Sequence, residues 1–230
     1  MIINGNAPQL IRKAELLRER GNYTEAVYIL DSVIEYALKN KKPYLESDAR
    51  GHLIVCYKHL YERNYDSFWL DYMYTCARAG LFLNLPEVDK RVFYLRLGEF
   101  EYYRKEYDKA EVLFRKAHLL VNKDCREEAE YLAHLVSVLV ARSELFEARD
   151  LLARAFVLMN MPRVRKDTRP FHRLIILAGL YLLEYKLNLR SGLGASAARK
   201  AYLKGYAIAL WLKWRHKMPQ RLTQFKKLTI

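Results

Sequence analysis

Three tyrosines, Tyr23, Tyr65 and Tyr107, stand 42 residues apart, each inside a short polar run: GNYTEA, RNYDSF and KEYDKA. Three residues beyond each comes Ala26, Phe68 or Ala110. A fourth segment, LFEA, follows at an interval of 38, with Leu145 in the tyrosine's place and Ala148 after it. A recurrence at such an interval constrains the fold strongly, because it marks one supersecondary element used several times over. Around each site apolar residues recur at spacings of three and four, the period of a helix with one buried face. Leu16 and Leu17 lead into Ala26, Leu30, Val33 and Ile34; Leu97 leads into Ala110, Phe114 and Ala117; Leu135 and Leu139 lead into Ala148, Leu152 and Ala155. Each repeat therefore reads as two helices joined by a tight turn, with Gly21, Asn22 or Asn64 suiting the turn backbone. Small residues at Ala14, Gly98, Ala26 and Ala110 let paired helices approach closely. One pair cannot bury its own apolar face, so neighbouring pairs must stack. Only nine glycines and six prolines in 230 residues agree with long helices, and a hydrophobic fraction of 52% supplies a core.

These residues resemble the tetratricopeptide repeat (TPR) family. The third repeat carries the likeness most fully, through Tyr94, Leu97, Gly98, Tyr107, Ala110, Phe114 and Ala117. The first matches at Ala14, Leu17, Gly21, Tyr23, Ala26 and Leu30. The second departs, with Cys56 and Phe68 at small-residue points, and the fourth keeps Ala148, Leu152 and Ala155 without the glycine or tyrosine. The spacing exceeds the family's usual ~34 residues and is similar to the long-repeat branch used in motor-cargo and signalling adaptors. The resemblance implies an all-α fold: a right-handed superhelical solenoid of antiparallel helix pairs, with about four pairs over residues 7–160.

Beyond Met159 the pattern weakens. Pro162 and Pro170 bracket the basic connector PRVRKDTRP; a helix is expected from about Phe171 to Leu189, a break at Ser191–Gly194, and another helix from Ala195 to about Lys217, stopped by Pro219. Residues 161–230 are expected to form a basic C-terminal helical extension that caps the array. They hold 16 Lys and Arg against two acids, Asp167 and Glu184, so they carry the whole net charge of +14. The first 160 residues are neutral. Such asymmetry points to two surfaces with different tasks.

No start typical of a secretory signal is present. The apolar run Leu174–Leu183, extending to Leu189, is interrupted by Glu184 and Lys186 and is too short for a spanning helix. Three widely spaced cysteines, Cys56, Cys76 and Cys125, fit free thiols in a reducing compartment, so the expected location is cytoplasmic. His52, Cys56 and His59 share one helix face and are residue types that ligate zinc. The resemblance places them in the packing of the second repeat, and a fourth ligand is not evident, so no metal is expected. No nucleophile elbow or phosphate loop is present, and neither an enzyme, a cofactor nor a small-molecule substrate is expected.

The resemblance assigns the first helix of each pair to a concave groove. That face holds Ile11, Glu15 and Arg18, then Arg50, Leu53, Tyr57 and Tyr61, then Leu95, Glu99, Tyr102 and Tyr103. Tyrosine offers a large apolar face and a polar tip at low entropic cost, which suits a binding surface as well as space-filling. Family members that clamp acidic chaperone tails use Lys, Asn and Arg there; Ile11, Glu15, Leu53, Tyr57, Leu95 and Glu99 argue against that partner. The second candidate surface is the basic end: Arg163, Arg165, Lys166, Arg169, Arg173, Arg199, Lys200, Lys204, Lys213, Arg215 and Lys217, interleaved with Tyr202, Tyr206, Trp211 and Trp214. Bases among aromatics can hold phosphates and stack nucleobases, and also suit an acidic protein or a membrane face. The expectation is a scaffold or adaptor binding a protein or peptide in its groove and an acidic partner at its basic end. RNA or DNA binding through residues 161–230, or peptide-sensing regulation, are the alternatives.

Overall fold

The computed structural model describes residues 6–121, 124–165 and 170–228, with no account of the side chains of 165, 170 and 171. Among these residues every regular element is helical. The chain divides into two compact units, Met1–Glu106 and Tyr107–Ile230. In the first lie α1 (Ala7–Glu19), α2 (Tyr23–Lys39), α3 (Pro43–Asn64), α4 (Ser67–Leu81), a 3-10 turn (Glu87–Lys90) and α5 (Arg91–Tyr103). Each of these helices packs on the next, and α3 also touches α1 and α5.

The helices follow their apolar spacing. Ala26, Ile29, Leu30, Val33, Ile34 and Ala37 of α2 are buried as one face, and α1 turns Ala7, Ile11, Ala14 and Arg18 inward. Ala14 and Ala26 are fully buried, which fits close approach of the pair. Prolines enter the first turns of α1 and α3, where the missing amide hydrogen costs nothing.

A left-handed residue marks each turn that precedes a second helix: Gly21, Tyr65, Lys105 and Ser143. Two residues later begin α2, α4, and in the second unit α6 (Tyr107–Leu119) and α8 (Leu145–Asn160). In three of the turns the chain closes the helix end with a paired set of hydrogen bonds, as in Asn22 N to Leu17 O (2.9 Å) and Gly21 N to Arg18 O (2.9 Å). The end of α3 differs. Tyr65 N donates to Tyr61 O, and Asp66 caps α4 by accepting from Phe68 N at 3.1 Å. Tyr65 thus occupies the left-handed position itself, whereas Tyr23 and Tyr107 open the following helix. The equal tyrosine spacing is not an equal structural period. Accordingly Leu70 is the buried counterpart of Ala26, while Phe68 is 49% exposed.

The second unit holds α6, α7 (Cys125–Ala141), α8, α9 (Pro162–Arg165), α10 (Pro170–Arg190), α11 (Ala195–His216) and α12 (Gln220–Lys226). Asp124 caps α7 by accepting from Arg126 N (2.8 Å) and Glu127 N (3.3 Å). Leu135 and Leu139 of α7 and Ala148, Leu152 and Ala155 of α8 are all buried, and the two helices pack on each other. The apolar run of α10 packs on α7, α8 and α11, which explains its composition without a bilayer. Among the described residues no helix is long and apolar enough to cross a membrane. Against α10, α11 turns the small residues Ala198, Ala201, Gly205 and Ala209, with Leu212. Gly205 is required by this approach: a Cβ there would lie 2.3 Å from the ring of Phe225 in α12 and 2.9 Å from Tyr181 Cβ in α10.

Candidate interaction surfaces

Most of the residues expected to line an open groove are covered within the first unit. Ile11, Arg18, Leu53, Tyr57, Leu95 and Glu99 are buried, and Glu15, Arg50, Tyr61, Tyr102 and Tyr103 are half-buried. Between α1, α3 and α5 runs a layer of polar contacts. Arg18 donates to Nδ1 of His52 at 2.8 Å and pairs with Glu19 at 2.6 Å. Lys58 Nζ lies 2.9 Å from Glu99 Oε1, and Arg96 holds the other oxygen at 2.8 Å. His59 Nδ1 is 3.1 Å from Glu62, whose other oxygen accepts from the Tyr103 hydroxyl. Glu62 of α3 and Glu99 of α5 are thus each met by a partner on the other helix, as buried charge requires.

The electrostatics of this layer follow from burial. Burial and the adjacent Arg18 guanidinium hold His52 down at about 4, so it is neutral near pH 7 and accepts at Nδ1. Burial also lowers His59, although its bond to Glu62 opposes the shift. Burial raises Glu62, but hydrogen bonds from His59 and Tyr103 and the charge of Lys58 outweigh it and bring the carboxyl to about 2. Burial pushes the Cys56 thiol up to about 12 and that of Cys76 to about 11, which keeps both protonated and unreactive at neutral pH. His52 and His59 each spend Nδ1, on Arg18 and Glu62 respectively, and His59 stacks on Tyr23 at 5.5 Å.

An aromatic ledge lies on the other side of α3, against α4. Tyr57 stacks on Trp69 at 5.9 Å and tilts against Tyr72 at 5.4 Å; Phe68 stands edge-on to Tyr72 at 4.5 Å and to Trp69 at 5.2 Å. Phe68 is 49% and Tyr72 45% exposed, so the outer rings face solvent over a buried base. Arg50 sits nearby, 2.7 Å from Glu46 and beside Cys76 of α4. Arg50 and Tyr57 of the expected groove lie here, together with Trp69, Tyr72 and the repeat-position residue Phe68, none of which belongs to the expected groove face. Their spacing of one and four residues on α4 was the available signal.

In the second unit the expected basic cluster separates by role. Lys166 and Arg169 lie outside the described residues, as does the side chain of Arg165. Arg163 reaches Cys125 Sγ at 2.6 Å, and Arg173 donates to the Met159 carbonyl at 2.9 Å and to Asn160 at 3.2 Å, capping the end of α8. Arg199, Lys200, Lys204, Lys213, Arg215 and Lys217, on α11 and its C-cap, are all exposed. None of the six forms an ion pair among the described residues, and Lys204 rests over the Tyr181 ring at 5.5 Å. Leu203, Leu210, Trp211 and Trp214 are exposed among them, Trp214 by 80%.

The backbone arrangement is similar to that of two crystal structures of TPR-like repeats from a protein of Podosopora anserina described as a putative kinesin light chain. One, a variant with a single glutamine-to-methionine substitution, has a TM-score of 0.55 at 13% identity and covers 94% of this chain and 99% of that one. The other has a TM-score of 0.53 at 13% identity and covers 90% and 97%. The chain has a TPR-like repeat fold. No family model matches the sequence, and no curated protein matches it. At this identity the likeness concerns backbone architecture alone. In the TPR-like frame α1 and α3 are first helices and α2 and α4 second helices. The polar layer therefore joins first helices, and the aromatic ledge sits where a first helix meets its own second helix.

Proposed function

We propose that this TPR-like chain is a non-catalytic interaction scaffold that holds a protein or peptide partner on its first unit and an anionic partner on its C-terminal helices. The observation that carries the first part is the ledge of Phe68, Trp69 and Tyr72 over Tyr57. Four rings in mutual contact, two of them about half exposed, offer a rigid apolar anchor of the kind that dominates protein interfaces. The half-buried Arg50, Tyr61 and Tyr102 extend this reading to the face of α3 and α5 expected to form the groove. Six exposed bases with no carboxylate partner among the described residues support the second part, because unpaired charge favours encounter with an anionic surface. A cytoplasmic setting fits three buried free thiols. A second reading, nucleic-acid binding by the same bases and exposed tryptophans, rests on the fit of such pairs to phosphates and nucleobases.

Affinity purification of the tagged chain with mass spectrometry, with and without nuclease, tests the scheme. A protein partner that persists through nuclease treatment and weakens at least tenfold with Phe68→Ala and Tyr72→Ala supports the scaffold. Partners that vanish with nuclease favour the second reading. A persistent partner whose affinity ignores both substitutions removes the ledge from the interface.

A further inference from the structure

The outer face of α11 carries more than charge. Opposite the side that packs on α10, Leu203, Ala207, Leu210 and Trp214 recur at spacings of three and four and form one exposed apolar stripe, with Trp211 at its edge. At about 1.5 Å per residue the stripe runs roughly 16 Å along the helix. By the same helical period, Arg199 and Lys213 fall on one flank and Lys200, Lys204 and Arg215 on the other. From Ala195 to His216 the helix has no Asp or Glu.

From this pattern we infer that α11 docks the protein, lying in the surface plane, onto an anionic phospholipid bilayer. This rests on the reading of the C-terminal helices as an anion-docking surface and names the partner. An apolar stripe bounded on both sides by long cations suits the headgroup boundary: Leu and Trp enter the acyl edge while Lys and Arg extend to the phosphates. Tryptophan's amphipathic ring is at home at that depth. The cytoplasmic leaflet supplies the negative surface that attracts such a helix. Other occupants fit less well. A second copy meeting the same face would set six bases against six bases. A nucleic acid would use the cations and indoles but leave Leu203 and Leu210 in water. A peptide needs a cleft, and the outward face of a single helix is convex.

The full chain should float with vesicles of phosphatidylcholine containing one-third phosphatidylserine and should not float with phosphatidylcholine alone. Its tryptophan emission should shift to the blue on binding, because two of its three tryptophans lie on this face. Leu203→Ser with Trp214→Ser, both at exposed positions, should retain the helical circular dichroism, lose the blue shift and bind on the order of tenfold more weakly. Lys200→Gln, Lys204→Gln and Arg215→Gln together should reduce binding by about a hundredfold, at roughly fivefold per cation. Flotation that ignores the Leu203 and Trp214 changes overturns insertion. A chain that ignores the vesicles but shifts a labelled RNA or is retained by polyglutamate overturns the lipid assignment and leaves the anion-docking reading standing. A chain that ignores all three overturns both.

Discussion

Gly21 shows how a single backbone conformation sets a helix pair. Its φ of +86 closes α1 so that α2 can return, and a Cβ added there would meet nothing within 4 Å. Gly21→Ala therefore isolates backbone strain from packing. It should cost about 1 kcal/mol, seen as a lower urea midpoint with an unchanged slope. Ser143, at φ 66 in the corresponding turn, should gain stability by a similar or smaller amount as Ser143→Gly. His52 gives a titration at the same scale. Its folded value of about 4 lies below the ordinary 6.5, so the unfolded chain binds the proton more tightly. Its contribution is complete above about pH 6.5 and is lost as pH falls towards 4, on the order of 3 kcal/mol. Glu62 adds a lower window, with stability present above 4.5 and lost towards pH 2. His52→Gln, which keeps an acceptor for Arg18, should reduce the slope of the stability profile between pH 6.5 and 4, leaving there the smaller share of His59, and should not change the lower limb. An unchanged upper limb would refute this account of His52.

Between helices, apolar faces bring α1, α3 and α5 together while polar contacts fix which residue meets which. Lys58 of α3 and Arg96 of α5 hold the two oxygens of Glu99, which is 4% exposed. Lys58→Met should cost about 2 kcal/mol, because Glu99 keeps Arg96 but loses its partner from α3. Adding Glu99→Gln should recover part of that loss, since the buried carboxylate deprived of Lys58 is then gone, less what Arg96 loses with its own ion pair to Glu99. Equal and additive losses in a double-mutant cycle would mean that the pair is not coupled. The helices themselves were legible from spacing: the expected span from Phe171 to Leu189 lies within α10, Pro170–Arg190, and the span from Ala195 corresponds to α11, ending at His216. The roles of Phe68 and Tyr57 were not. A residue's direction turns by about 100° per step along a helix, so the altered turn at Tyr65 directs Leu70 inward and leaves Phe68 outside.

At the scale of the whole molecule, charge is distributed by length of chain: the first 160 residues are neutral and the last 70 carry +14. That division could be read directly, because composition does not depend on packing. The candidate surfaces were only half legible. Tyr57 and Glu99 look like binding residues on a helical wheel and are buried in the first unit, the first beneath Trp69 and Tyr72 and the second between Lys58 and Arg96. Arg173, counted with the basic cluster, instead caps α8, whereas Trp214 on α11 stands open to solvent. By itself, the sequence determined that this chain forms helices, that they pair through short turns, and that its positive excess lies at one end. Only the tertiary structure decided which aromatic and charged faces are spent on neighbouring helices and which remain for a partner. The physical reason is that packing and recognition draw on the same residue types, so only contact with another helix tells them apart.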